Sequence, residues 1–506
     1  MQKADYIRKL KIKNMDRIAA YRRQLYENPR LRDLFIEVTS RCNAHCDHCG
    51  SRCDSRVQPD EVTAEALKNT LLEISRTYDP QDILLNITGG EPLMRGDLFD
   101  IMGYASNLGF RWGMTSNGML IDDDVIEKMV ETGIRRCGKT MVLRMIRDEL
   151  ISLGRDKDDI LLIDMESNLG RDYRSGEELY DKVVSWASSR DSKVYLLLDE
   201  IQMLEGWELC IRSLKSDLDI DIYLTGSSSK MLSGELATHL AGRYVEFRIH
   251  PFSFSEICDI IKDTDRKDLF RTYLEYGGMP LIVMNGYNDL MSDSILNAMY
   301  DSVVIRDICD RNGIRNGAGL RKILGYVVSE IGHSMSSTNI SNYLKSQKGN
   351  MTHDTILDYL SFAEDAMFLS RVNRQDIRGK EVLKTDYKFY LEDHGFRRAI
   401  GFDNMGSIDQ VLENIVYNEL KRRGYDVTIG KGVNSEVDFV ADIGTKREYY
   451  QVSYLVQTDD TRKREFGALL RIKDNHPKFV LSLDDFCMGC EGIEHVNIIE
   501  WLSNGM

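Results

Sequence analysis

The residues that most constrain this chain are Gly133-Ile-Arg-Arg-Cys-Gly138-Lys139-Thr140, a complete G-x-x-x-x-G-K-T. Such a loop is built for an anion. Its backbone amides cradle phosphates, Lys139 would reach the β/γ oxygens, and the Thr140 hydroxyl would ligate Mg2+. The loop works only where a buried strand fixes one side and a helix N-terminus closes the other. Met141–Leu153 reads as that helix. The preceding Val125-Ile-Glu-Lys-Met-Val-Glu-Thr132 is a poor strand, with Met129-Val130 its sole apolar pair close to the loop. We expect Lys128–Thr132 to be extended all the same, because the sheet downstream is complete and buries more apolar surface.

That sheet supplies the other parts in order. Asp159-Ile-Leu-Leu-Ile-Asp164 and Lys193-Val-Tyr-Leu-Leu-Leu-Asp199-Glu200 are buried-strand runs. An apolar strand ending in acids is a weak signal alone, but downstream of Lys139 it gains a role. Asp199 would hold Mg2+ through water and Glu200 would orient the attacking water. A further strand, Asp219–Thr225, leads into Gly226-Ser227-Ser228-Ser229, where a polar side chain would sense the γ-phosphate. Ser227 is preferred, with Thr225 and Ser228 as close competitors.

Upstream, a different chemistry is written. The strand Leu34–Thr39 runs into Cys42-Asn-Ala-His-Cys46-Asp-His-Cys49, with Cys53 beyond. Three thiolates on one loop suit three irons of a [4Fe–4S] cluster; a zinc knuckle completed by Cys53 or His48 is the alternative. A second strand, Asp82–Thr88, ends in Gly89-Gly90-Glu91-Pro92, and a third, Arg111–Gly118, precedes the helical stretch Asp122–Thr132. A CxxxCxxC loop after one strand and GGEP after the next resembles the radical S-adenosylmethionine family, which decides against zinc. The resemblance implies Cys42, Cys46 and Cys49 as cluster ligands, with Gly89, Gly90 and Glu91 near the methionine amine. It covers residues 31–133 only, so the partial barrel is truncated: the strand that should follow Glu131–Arg136 is missing.

From residue 133 onward the order of parts, together with Leu240-Ala-Gly242-Arg243, His250-Pro-Phe-Ser-Phe-Ser-Glu256 and Tyr276-Gly-Gly-Met-Pro280, resembles archaeal-type ATPases of the AAA/STAND-like P-loop class. These end in a restriction-endonuclease-like domain. The resemblance makes Arg243 the position to test as an arginine finger, against a purely structural role. Ser337–Leu344 and Thr352–Ala366 look like a helix-turn-helix with Met367–Asn373 as a wing. The second helix carries Asp354, Asp358, Glu364 and Asp365 and no Lys or Arg, which suits protein contact better than DNA. The helix Asp409–Leu420 and the strands Tyr425–Lys431, Glu436–Ile443 and Glu448–Leu455 resemble a PD-(D/E)xK nuclease. Gln451 stands where its second acid belongs and Ser453 where its lysine belongs, leaving Asp438 with Glu413 or Glu419. Such a site lacks most of its electrostatic stabilisation and is expected to be silent.

Composition settles the setting. Lys+Arg 66 against Asp+Glu 81 gives a net charge of −15, so a broad polyanion-binding surface is disfavoured. No apolar run is long enough to span a membrane and the N-terminus has no secretory pattern, so a cytoplasmic protein is expected. The Cys487–Cys490 pair has no second CxxC to complete a zinc site.

The expected fold class is α/β multidomain. It comprises a truncated radical-SAM segment (1–132), a P-loop ATPase with a mainly parallel sheet (133–285), a helical and winged-helix region (286–395) and a degenerate nuclease-like domain (396–506). Function is expected to be ATP binding and hydrolysis with Mg2+, the C-terminal parts passing the bound state to a protein partner, with oligomerisation open. The alternative is a radical enzyme using a [4Fe–4S] cluster and S-adenosylmethionine on a peptide or small molecule. A third reading is a frame that joins two genes at their shared Gly-Ile/Val-Arg-Arg-like segment.

Overall fold

A computed structural model describes residues 31–43, 61–114, 120, 139–165, 173–226, 244–432 and 435–503, apart from 32, 81–82, 174, 191, 263, 288, 347–350, 378–381 and 487. The chain divides into two compact units, Met1–Arg135 and Arg136–Gly505. Residues 125–132, where the sequence sets helix against strand, lie outside the described residues.

In the first unit, β1 (Asp33–Thr39), β2 (Leu84–Gly89) and β3 (Arg111–Met114) form a parallel sheet in that order. Parallel neighbours require crossovers, and the helices Ala64–Thr77 and Leu98–Asn107 provide them. Thr63 caps the first helix by accepting from the Ala66 amide. Leu67 and Leu71 of one helix and Leu98, Ile101, Met102 and Ala105 of the other cover Leu85, Ile87 and Trp112 of the sheet.

The second unit opens with the helix Lys139–Ser152 and a parallel sheet of β4 (Ile160–Asp164), β5 (Val194–Asp199) and β6 (Ile220–Leu224). β5 lies between the other two and every one of its residues is buried. Its side chains divide by parity. Tyr195 and Leu197 pack against Leu143 and Leu150 of the helix that follows the phosphate loop. Val194, Leu196 and Leu198 pack against the helices Gly176–Ser188 and Trp207–Asp217 on the other face. A strand covered on both faces must be apolar throughout, which is why this segment reads as an unbroken run. The three strands fall within a residue of the segments expected from the sequence. Beyond the sheet, residues 244–249 run as exposed chain, with Val245 and Phe247 mostly open to solvent.

Helices from Phe254 to Asp365 lead to a seven-stranded sheet, ordered β13-β12-β11-β10-β9-β7-β8. Its strands are β7 (Leu369–Asp376), β8 (Val382–Leu391), β9 (Asp426–Lys431), β10 (Glu436–Ile443), β11 (Lys446–Val452), β12 (Lys478–Ser482) and β13 (Glu494–Asn497). The segment expected as a wing, Met367–Asn373, is therefore not free: it runs into β7, which pairs with β8 and, in parallel, with β9, so the β7–β8 hairpin forms the edge of this sheet. The physical reason is apolar. Phe389 and Leu391 of the hairpin share one core with Val411, Leu412 and Ile415 of the helix Ile408–Arg422, burial that a solvated wing would forgo.

Candidate functional site

The C-terminal ends of β5 and β6 bring three polar residues together. Asp199 closes β5 and is completely buried. A buried carboxylate needs partners, and the Thr225 hydroxyl donates to its Oδ1. The same Thr225 oxygen accepts from the Glu200 amide at 3.2 Å. Main-chain bonds fix the threonine in turn: its amide donates to Leu198 O (2.9 Å), and its carbonyl accepts from Ile201 N (3.1 Å). Thr225 thus clasps both acids, holding the Asp199 carboxylate and the Glu200 backbone in one frame.

Glu200 has a left-handed backbone, φ 51° and ψ 44°. A non-glycine residue pays of order 1 kcal/mol or more for that conformation, and it persists where the surroundings over-determine it. Here it turns the chain sharply off the strand end. The Glu200 Oε2 accepts from Gln202 Nε2 at 2.5 Å, which fixes the carboxylate's direction.

Of the residues expected around the phosphates, Lys139 and Thr140 begin the helix that packs on β5. Gly133, Gly138, Ser227, Ser228 and Arg243 lie outside the described residues. Asp199, Glu200 and Thr225 are brought together. Thr225 was a competitor to Ser227 in the sequence, where nothing distinguished a hydroxyl at the strand end from those one turn beyond.

The first unit assembles a second candidate centre. Cys42 is buried at the end of β1, while Cys46 and Cys49 lie outside the described residues. The Gly90 amide donates to Thr39 O (2.7 Å) and the Glu91 amide to Arg41 O (2.6 Å), so the GGE segment is stitched to the start of the cysteine loop. A Cβ on Gly89 would stand 2.2 Å from Thr39 O, and one on Gly90 2.1 Å from Arg41 O. The glycines are thus demanded by the approach of the chain itself. Glu91 is fully buried, and its Oε1 accepts from the Leu93 amide at 3.1 Å to cap the following turn. Arg95 ties the layers together by donating to Val38 O (2.7 Å) and Val62 O (2.8 Å).

A third polar cluster lies in the C-terminal sheet, in a pocket of about 500 Å3 lined by Glu413, Glu436, Asp438 and Gln451 among others. Asp438 sits in a β-bulge, where three steps along β10 from Val437 to Val440 oppose two along β9. Its Oδ2 accepts from the Val452 amide at 2.8 Å, and its own amide donates to Gln451 Oε1 at 3.4 Å. Ser453 is buried and donates to Leu455 O at 3.3 Å. Into this cluster comes a residue that sequence reasoning missed, Lys388 of β8. Its buried ammonium lies 2.9 Å from Glu413 Oε1 and 2.9 Å from Glu436 Oε1, with Asp438 Oδ1 at 4.0 Å. Burial opposes its charge, but Glu413, Asp438 and Glu436 outweigh burial and hold its pKa above the usual lysine value. Burial, then Glu413, pushes the Asp438 carboxyl up.

Residues 128–258 match the AAA domain family, residues 36–138 the Radical SAM superfamily, and residues 267–406 a domain of unknown function, DUF8612. The first two matches overlap on the phosphate loop. An uncharacterized protein of Haemophilus influenzae is 35% identical over 388 residues, 75% of this chain and 95% of that protein. Another, of Methanocaldococcus jannaschii, is 28% identical over 359 residues, 68% of this chain and 78% of its own length. An AdoMet-dependent heme synthase of Methanosarcina barkeri is 34% identical over 108 residues, 21% of this chain and 30% of the synthase.

Proposed function

Because the chain belongs to the family of the Haemophilus influenzae protein, which it covers over 95% of that protein's length, we propose that it is an ATP-hydrolysing P-loop protein. The observation that carries this reading is the clasp of Asp199 and Glu200 by Thr225 at the end of a strand buried on both faces. The donor set suits Mg-ATP. Lys139 would neutralise the phosphate oxygens, and Thr140 and Asp199 would hold Mg2+, which supplies charge stabilisation to the transferring phosphoryl group. Glu200, steered by Gln202, would orient water. Arg248 (3.3 Å) and His250 (2.6 Å), late in the ATPase segment, both meet Glu392 of the helical and winged-helix region, a route for nucleotide state to reach a protein partner there.

A second reading, an S-adenosylmethionine-dependent centre, rests on the stitching of Gly90 and Glu91 to the cysteine loop. Cys42, Cys46 and Cys49 would hold the cluster, the donor type fitting iron, and the cluster would supply an electron to S-adenosylmethionine.

The test is ATP turnover by the full chain. Lys139→Ala should abolish tight Mg-ATP binding. Glu200→Gln should bind normally and lose hydrolysis by about 100-fold or more. Equal turnover by wild type and Glu200→Gln would remove Glu200 from its role.

A further inference from the structure

The pocket around Asp438 has acids of the kind a metal site uses, with Lys463, Arg464 and Arg471 also on its wall, but the cation seated on Glu413 and Glu436 is Lys388. Glu413 comes from the helix Ile408–Arg422, Glu436 and Asp438 from β10, and the strand hairpin β7–β8 delivers Lys388 to their centre. The Lys388 side chain is only 4% exposed, so no solvent shell competes for its charge. An ammonium has three protons to place; it donates a hydrogen bond to Glu413 at 2.9 Å and forms an ion pair with Glu436 at 2.9 Å. Each carboxylate is also committed elsewhere. Glu413 accepts from the Tyr390 hydroxyl, Glu436 from Arg374 at 2.7 Å, and Asp438 from the Val452 amide at 2.8 Å. Position 451, which would have to add an anionic ligand, is an uncharged glutamine whose oxygen faces the Asp438 amide. With the Lys388 ammonium in place, no group of three acids, cysteines or histidines among the described residues is spaced to hold a metal ion.

We propose that the Lys388 ammonium is the resident cation of this pocket, standing where Glu413, Glu436 and Asp438 would otherwise gather a divalent metal. A dication entering would meet a fixed positive charge within hydrogen-bond reach of its own ligands, and the low dielectric of the site makes that repulsion strong. The charge need of the acids is met without metal, and the domain is locked out of metal-dependent phosphodiester cleavage. This inference is independent of the nucleotide reading and stands or falls apart from it.

The experiment counts Mn2+ bound to the nucleotide-free full chain by electron paramagnetic resonance. Wild type and Asp438→Asn should bind the same number of ions. Lys388→Met, which keeps the stem and removes the charge, should bind one more ion per chain, lost again in Lys388→Met/Asp438→Asn. A folded Lys388→Met that gains no ion overturns the proposal. So does one fewer ion in Asp438→Asn than in wild type, a comparison that needs no lysine variant to fold. Plasmid nicking gives a further arm: wild type with Mn2+ should leave DNA intact, and nicking that Asp438→Asn abolishes would overturn the proposal.

Discussion

Among the described residues, each of the two units carries a three-stranded parallel sheet, one before the phosphate-loop sequence in the chain and one after it. The sheet of β1, β2 and β3 carries, among these residues, the start of the cysteine loop at Cys42 and the GGE turn. The sheet of β4, β5 and β6 carries, among the same residues, Asp199, Glu200 and Thr225 at its strand ends. Relatives separate the two. The match to the Haemophilus protein uses 75% of this chain and leaves 5% of that protein uncovered, whereas the heme synthase is covered over only 30%. The chain thus spans nearly the whole length of the Haemophilus relative and under a third of the synthase.

The largest effect that could break this contrast is radical chemistry. After anaerobic reconstitution and dithionite reduction, 5′-deoxyadenosine should form only at trace level, orders of magnitude below an intact enzyme. Robust formation that disappears in Cys46→Ala would make the first region the working one.

Next in size is Thr225→Val, which keeps the shape and deletes the hydroxyl that bridges Asp199 and Glu200. Hydrolysis should fall by about 10- to 100-fold with ATP affinity nearly kept, since a buried acceptor loses its partner at a cost of about 1–3 kcal/mol. Unchanged turnover would place the sensing hydroxyl elsewhere, Ser227 being the obvious alternative.

How much of this was legible in the sequence differs by element. β5 was readable because burial on both faces leaves no polar position in Val194–Leu198. The GGE turn was readable as a motif, though not its reason: the glycines make room for the backbone of Thr39 and Arg41. Lys388 was not readable. It belongs to a hairpin distant in the chain, and only the pairing of β7 with β9 carries it to Asp438. The one local hint was a lysine between Tyr387 and Phe389, set in a run otherwise suited to a buried strand. The wing misled because helix, helix and hairpin are local patterns, while the pairing that absorbs the hairpin is long-range.

Matched glycines sharpen the comparison at the level of folding. A Cβ on Gly90 would lie 2.1 Å from Arg41 O, and one on Gly176 would lie 2.3 Å from Gly206 O. Backbone cannot yield cheaply, so Gly90→Ala and Gly176→Ala should each cost roughly 2–4 kcal/mol. If the two regions fold independently, Gly90→Ala lowers the stability of the first while ATP turnover is retained, and Gly176→Ala does the reverse. Loss of turnover in Gly90→Ala would show that the stability of the second unit depends on the first.

The smallest effect is a pH signature that marks melting of the second region. Asp393 is buried, and burial pushes its carboxyl up to about 6 despite the Gly278 and Gly395 amides that donate to it. The adjacent His394 is buried as well, and burial lowers it to about 4 although it contacts Tyr273 O. The folded chain keeps the Asp393 proton up to about pH 6 while the unfolded chain releases it near pH 4, so rising pH removes stability across that window. For His394 the unfolded chain takes up a proton near pH 6.5 and the folded chain only near pH 4, so falling pH removes stability over almost the same range. Each contribution is of order 3 kcal/mol and the two oppose, so the pair contributes little net slope in wild type. Asp393→Asn deletes one side. The second region's melting temperature should then fall by about 5 °C or more between pH 6.5 and pH 4.5 relative to the wild-type trend. The first region's transition should be unmoved. Parallel wild-type and Asp393→Asn profiles would mean that the carboxyl is already ionised in the folded chain, and that burial at this turn is offset by its two amide donors.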